Sequence, residues 1–277
     1  MEFVSISDLT WTIAVFLAFG FSVCLHEFGH AIVAYWGGDR SVKEKGYLTL
    51  NPLRYTHPTY SIVLPAIFLM MGGLPLPGAA VYINHGALRG PQWKSAVSAA
   101  GPLATALVGI LVAIAINQLP SQTPFDPLRQ NDLLFQGMAL LLTLEVAGFC
   151  LNMMPIPGLD GYGIIEPWLP QSWQQKLRKY AQYGVWILFA AFWLSPNFNR
   201  GFWAVVHFMV QLCGVSPDVT VLGFIRFQQA ARFLFFGLLM LWIGYAQWKK
   251  RQPEIETTED LTIDHSLQTS QDSQEET

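Results

Sequence analysis

Charge is scarce in this chain. Only 13% of its 277 residues are charged and 52% are hydrophobic, with a mean hydropathy of +0.33, where soluble domains carry roughly 25% charged residues. No charge falls between Thr10 and Leu25, or between Ala31 and Gly38. This excludes an ordinary soluble domain and implies an integral membrane protein. Cysteine is scarcer still: Cys24, Cys150 and Cys213 lie far apart in apolar stretches, so neither a disulfide framework nor a CxxC metal site is readable. There is no internal repeat, no nucleotide-binding glycine loop, and no run of basic residues interleaved with aromatics that would suggest nucleic acid. The leader carries Glu2 and Asp8 but no Lys or Arg, and the apolar run after it is too long for a signal peptide. It is expected to stay in the mature protein.

What the first apolar run does contain is His26-Glu27-Phe28-Gly29-His30, an HExxH pattern. On a helix, positions i and i+4 share a face, so both imidazoles can converge on one zinc ion while Glu27 serves as general base toward water at the metal. Ionisable groups in a membrane helix cost about 2.5 to 3.5 kcal/mol each on insertion scales. Three of them within five positions need compensation, which metal binding supplies and ordinary core packing does not. Two histidines require a third protein ligand, with the fourth position left open. Asp160 is the best candidate. It lies in Asn152-Met153-Met154-Pro155-Ile156-Pro157-Gly158-Leu159-Asp160-Gly161, where prolines and glycines end a helix and free backbone groups beside protein or water.

Charge-poor runs of spanning length predict an all-α, polytopic helical bundle. Clear helices are expected at Trp11 to Trp36, Ser95 to Leu119 and Leu133 to Met154, with less regular candidates at Tyr180 to Phe198, Gly201 to Val215 and Phe227 to Trp248. This makes five or six membrane segments. Tyr60 to Leu76 is apolar but broken by Pro65, Gly72, Gly73 and Pro75, which predicts a re-entrant or hairpin segment after the first helix. Arg40, Lys43, Lys45 and Arg54 follow the HExxH helix and mark a cytosolic loop, which puts the N-terminus outside. After Lys249-Lys250-Arg251 the chain turns polar, and the eight acidic residues from Glu254 to Glu276 exceed in number the net charge of −3. The expected organisation is a membrane-embedded domain over residues 1–248, with its core at 10–167, and an acidic, disordered cytosolic tail over 249–277.

With HExxH on one helix and NxxPxPxLDG at the end of another, the chain resembles the site-2 protease family of intramembrane zinc metalloproteases. Every fixed position of the second motif is present, and the order and separation of the motifs match as well. The resemblance covers roughly Phe21 to Pro167 and is to compact members without PDZ or CBS domains. It implies one zinc ion held by His26, His30 and Asp160, with Glu27 as catalytic residue. It also implies that Asn152, Pro155 and Pro157 lie near substrate or the developing oxyanion, although an amide at a helix end can equally be a cap. The family's GPxxN element reads Gly101-Pro102-Leu103-Ala104-Thr105 here, so threonine replaces asparagine, and Thr105 is expected, with Glu145, among the side chains standing behind the ligands. Glu145 lies seven positions before Asn152 on nearly the same helix face; it is expected to hydrogen-bond a neighbouring helix, or else to tune or compete for the zinc. His57, His85 and His207 have no partner at ligand spacing.

The function so implied is hydrolysis of peptide bonds within or near a transmembrane segment of a membrane protein substrate, in the lipid bilayer, with no nucleic-acid partner. Two other classes fit parts of the pattern. A non-catalytic chaperone or scaffold could keep the protease fold, and a zinc transporter could place His and Asp along an ion path.

Overall fold

The computed structural model describes residues 4–55, 81–119 and 132–251. These are helical, with no strand among the described residues. The first helix, α1 (Ile6–Gly37), starts at a capping box in which Ser5 accepts from the Asp8 N–H and Asp8 accepts from the Ser5 N–H. Its 32 residues make it about 48 Å long, more than the roughly 30 Å hydrocarbon core of a bilayer. A single turn, α2 (Ser41–Glu44), follows. Then come α3 (Pro91–Gln118), with proline at its first position, and α4 (Leu133–Asn152), capped by Asp132.

The motif-bearing turn leads from α4 into the short α5 (Asp160–Ile165), and α6 (Gln171–Arg178), α7 (Gly184–Leu194), α8 (Pro196–Leu212) and α9 (Pro217–Arg251) complete the order. Among the described residues, four helices are long and apolar enough to cross a membrane: α1, α3, α4 and the Pro217–Tyr245 part of α9. They mark a membrane protein. The apolar stretch from Tyr180 to Phe198 is not one helix. Ser195 ends α7 in extended backbone and caps α8 by accepting from the Phe198 N–H, with Pro196 next in line. The α7 helix therefore has 11 residues, about 16 Å, too short to cross alone. The re-entrant or hairpin segment expected at Tyr60 to Leu76, His57, residues 120–131 and the tail beyond Arg251 lie outside the described residues.

Two units divide the chain, Met1–Phe233 and Leu234–Thr277, and α9 runs from one into the other. In the second, the rest of α9 exposes Phe236, Leu238, Met240, Leu241 and Trp242, an apolar surface suited to lipid. In the first, one buried cluster joins Phe135, Ala139 and Leu142 of α4 to Phe202, Val206 and Val210, which repeat every four residues on α8. A second joins the C-terminal end of α1 to the following loop through Ala31, Ala34, Val42, Tyr47 and Tyr55. Small residues set the closest helix contact. A Cβ on Gly29 of α1 would lie 2.8 Å from the Ala100 carbonyl oxygen of α3, so the two helices meet backbone to backbone.

Candidate metal centre

The close approach of α1 and α3 determines what can face His26 and His30. Both histidines are buried, at 8% and 7% exposure, one turn apart on α1, with ring centroids 4.7 Å apart and planes at 79°. Gly101 of α3 lies opposite them. A Cβ there would stand 2.2 Å from His30 Nε2 and 2.6 Å from His26 Nε2, so only glycine leaves this space open.

Asp160 reaches the same space from the start of α5. Here the chain doubles back tightly: Gly158 adopts φ 99°, and a Cβ on Gly161 would meet the Met153 carbonyl oxygen at 2.3 Å. On the far side α5 is tied to α3, because the Ser95 hydroxyl donates to the Ile164 carbonyl and the Trp168 indole N–H donates to the Ser95 oxygen. The turn and these ties bring Asp160 Oδ2 to 3.2 Å from His26 Nε2 and Oδ1 to 3.4 Å from His30 Nε2. The two Nε2 atoms are 3.1 Å apart. Ligands about 2.05 Å from a tetrahedral zinc ion would be about 3.3 Å from one another. The triangle has that size, so the donor set fits the ion in chemistry and in spacing. Among the described residues this is the one group of three or more His, Cys, Asp or Glu side chains that could hold a metal.

Behind each imidazole stands a partner for Nδ1. His30 Nδ1 lies 2.6 Å from the Val97 carbonyl oxygen, and His26 Nδ1 lies 2.9 Å from Thr105 Oγ1. Glu27, 8% exposed, interacts electrostatically with both histidines and Asp160 and lies beside the Val81 main chain. The Val81–Asn84 stretch is itself tethered, by Lys45 Nζ to the Tyr82 carbonyl at 2.9 Å and by the Asn84 N–H to Asp39 Oδ2 at 2.7 Å. Burial raises the pKa of the Asp39 carboxyl, but hydrogen bonds from Ser41 and Asn84, with the nearby Lys45 charge, outweigh it and hold the group below its ordinary range.

The other residues singled out in the sequence are placed as follows. Asn152 is the last residue of α4, and Pro155 and Pro157 lie in the turn leading to Asp160. Glu145, 1% exposed, points its Oε2 at the Ser22 hydroxyl of α1, 2.7 Å away, and stands outside the three-residue cluster. With Thr105 it lines a largely apolar cavity of about 580 Å³ between α3, α4 and α8. Sequence reasoning did not single out the Val97 carbonyl, Ser22 or Asp39. A carbonyl leaves no trace in residue type, and serine in an apolar helix is too common to signal a partner. A buried aspartate directly after Gly37-Gly38 was the one available cue.

Over 202 residues the chain is 40% identical to a protein of Mycobacterium tuberculosis strain H37Rv named "Putative zinc metalloprotease Rip2", covering 73% of this chain and 74% of that one. The chain belongs to the site-2 protease family. A family protein of the same name from Mycolicibacterium smegmatis is 39% identical over the same length. Another, "Putative zinc metalloprotease YwhC" of Bacillus subtilis, is 27% identical over 190 residues, covering 67% of this chain and 82% of that one. No family model matches the chain, and no solved structure does.

Proposed function

We propose that this site-2 protease family member is a zinc-dependent intramembrane endopeptidase that hydrolyses peptide bonds within or near transmembrane segments of membrane protein substrates. The observation that carries the reading is the triangle of His26 Nε2, His30 Nε2 and the Asp160 carboxylate, spaced as a tetrahedral ion requires, on a helix apolar enough to span a bilayer. The names of the relatives support zinc as the metal and proteolysis as the activity.

Zinc, when bound, supplies Lewis-acid polarisation of the scissile carbonyl and makes water acidic enough to give up a proton near neutral pH. His26 and His30 present neutral Nε2 lone pairs, and the Asp160 carboxylate supplies the third donor and a compensating negative charge. Glu27 accepts the proton from the attacking water and returns it to the leaving amine, acting as base and then as acid. Burial of His26, Glu27 and His30, with Asp160 half-buried beside them, limits the bulk water that can compete for the same hydrogen bonds. Asn152, at the mouth of the turn, donates from its amide to the oxyanion, a contact worth about 2.7 to 4 kcal/mol when preorganised. A helical substrate hides its carbonyls in hydrogen bonds, so it unwinds locally before attack. In this reading the N-terminus is outside and the basic loop after α1 is cytosolic, so the centre lies toward the cytosolic side of the membrane.

The test is Glu27→Gln in full-length protein reconstituted in liposomes with a helical reporter substrate. Retained zinc with abolished cleavage supports the reading, and trapped substrate identified by mass spectrometry gives the target class. Undiminished cleavage removes Glu27 as the base. Zinc flux without peptide products would replace the protease with a transporter, and substrate binding without cleavage in the wild type would replace it with a scaffold.

A further inference from the structure

We infer that Thr105 is a positioning residue for the metal ligand His26, its hydroxyl holding the imidazole in the one tautomer whose Nε2 can bind. The inference rests on the zinc reading above and deepens it.

A neutral imidazole has one protonated and one unprotonated nitrogen, and only the unprotonated one can ligate a metal. His26 and His30 both turn Nε2 toward Asp160, so both must carry their proton on Nδ1. For His30 the choice is made by main chain. The Val97 carbonyl can only accept, so it fixes Nδ1–H and leaves Nε2 free. His26 faces a hydroxyl instead. Thr105 Oγ1 can accept from Nδ1–H or donate to a bare Nδ1, and once Nε2 binds metal only acceptance remains. One ligand of the pair is therefore held by a group that a substitution can remove.

The helix register explains why threonine can do this. Gly101 and Thr105 are successive turns on one face of α3: the glycine leaves room for both imidazole edges, and the threonine meets the back of His26. The same face continues to Gly109, where a Cβ would sit 3.4 Å from Glu145 Cβ, so α3 stays close to α4 beyond the site. On α1 the turn next to His26 carries Ser22, which is held by Glu145. The face of α1 that bears the ligands is thus gripped at two consecutive turns, by α4 at Ser22 and by α3 at His26. A ring already held from one nitrogen loses little freedom when the other binds. Where the family pattern has asparagine, Thr105 offers a shorter side chain whose oxygen touches the ligand itself at 2.9 Å.

Thr105→Val keeps the shape and removes the acceptor, which leaves a buried Nδ1–H without a partner. Loss of such a partner lowers metal affinity by about 10- to 100-fold. The experiment measures zinc affinity of the full-length protein in detergent micelles by competition with a chelator, with zinc as the probe and helix content of the zinc-free protein as the folding control. Thr105→Val should bind zinc about 10- to 100-fold more weakly, and Thr105→Ser should stay within about threefold of wild type. If the valine form does not fold, Thr105→Ala against Thr105→Ser decides in its place, since only serine keeps the hydroxyl. Wild-type affinity in the valine form, or equal loss in the valine and serine forms, would overturn the inference while leaving the protease reading intact. A wild-type protein that binds no zinc at all would overturn both.

Discussion

A methyl group added at Gly101 should empty the metal centre while leaving the helices folded. Its carbon would stand 2.2 Å from His30 Nε2, 2.6 Å from His26 Nε2 and 2.6 Å from His30 Cε1, where unstrained heavy atoms keep about 3.5 Å. An overlap of more than 1 Å with one nitrogen has two ways out. Either the imidazoles swing away and break their contacts with Thr105 and the Val97 carbonyl, or α3 withdraws from α1. Withdrawal also parts Gly29 from Ala100, where the helices meet backbone to backbone. Both outcomes break the ligand triangle. Overpacking of this kind costs about 1 to 3 kcal/mol in fold stability, which four long helices absorb. The zinc site has no such reserve: misplacing two of three protein ligands should weaken binding by at least about 100-fold, roughly 2.7 kcal/mol. Gly101→Ala, purified without chelator, should contain less than a tenth of the wild-type zinc by elemental analysis, about 0.1 ion per chain or fewer. Its helix content should match the wild type by circular dichroism. One zinc per chain at wild-type affinity would mean that the metal does not sit between these imidazoles and Gly101.

Three further outcomes follow from the same contacts. Asp160→Ala removes the third donor and should strip zinc to the level of Gly101→Ala; full retention would show that another side chain completes the ligand set. Ser22→Ala leaves the Glu145 carboxyl, whose Oε1 already has no partner among the described residues, with no hydrogen bond at all. Thermal unfolding should register a loss of about 1 to 3 kcal/mol, largely recovered when Glu145→Leu is added, because removing both partners of a buried pair is far less costly than removing one. Failure of the double variant to recover would mean that the carboxylate is required for something other than this pair. Asp39 carries the acid dependence of the Val81–Asn84 tether. Its folded pKa is below the unperturbed 3.8, so its stabilising contribution is complete above that value and is lost as pH falls through the folded one. The stability difference between wild type and Asp39→Asn should be large at pH 7 and shrink at pH 3, and a constant difference would argue against the charge.

Some of this was readable from residue types because metal chemistry restricts them severely. Two histidines four apart and an LDG aspartate after a proline-broken helix narrow the donors before any fold is known, and the structure brings those three side chains within one ion's reach. The long helices were readable for a similar reason: a bilayer demands apolar runs, and α1, α3 and α4 follow theirs to within a few residues. The break at Ser195 was also present in the sequence, as a cap residue followed by proline, but the apolarity of Trp186 to Leu194 outweighed it in the reading. What no pattern reveals is the layer behind the ligands. The Val97 carbonyl, the Thr105 hydroxyl and the Ser22–Glu145 pair depend on the rotation of one helix against another, and a rotation of one residue, about 100°, would replace every one of them. Thr105, a departure from the family pattern, was expected behind the ligands, but only the packing of α3 on α1 shows that its partner is His26.

The most direct test of the central claim is X-ray absorption at the zinc edge on the purified full-length protein. Binding by His26, His30 and Asp160 predicts a four-coordinate shell of nitrogen and oxygen at about 2.0 to 2.1 Å, with the scattering signature of two imidazoles. A shell containing sulfur at about 2.3 Å, or only one imidazole, would contradict it.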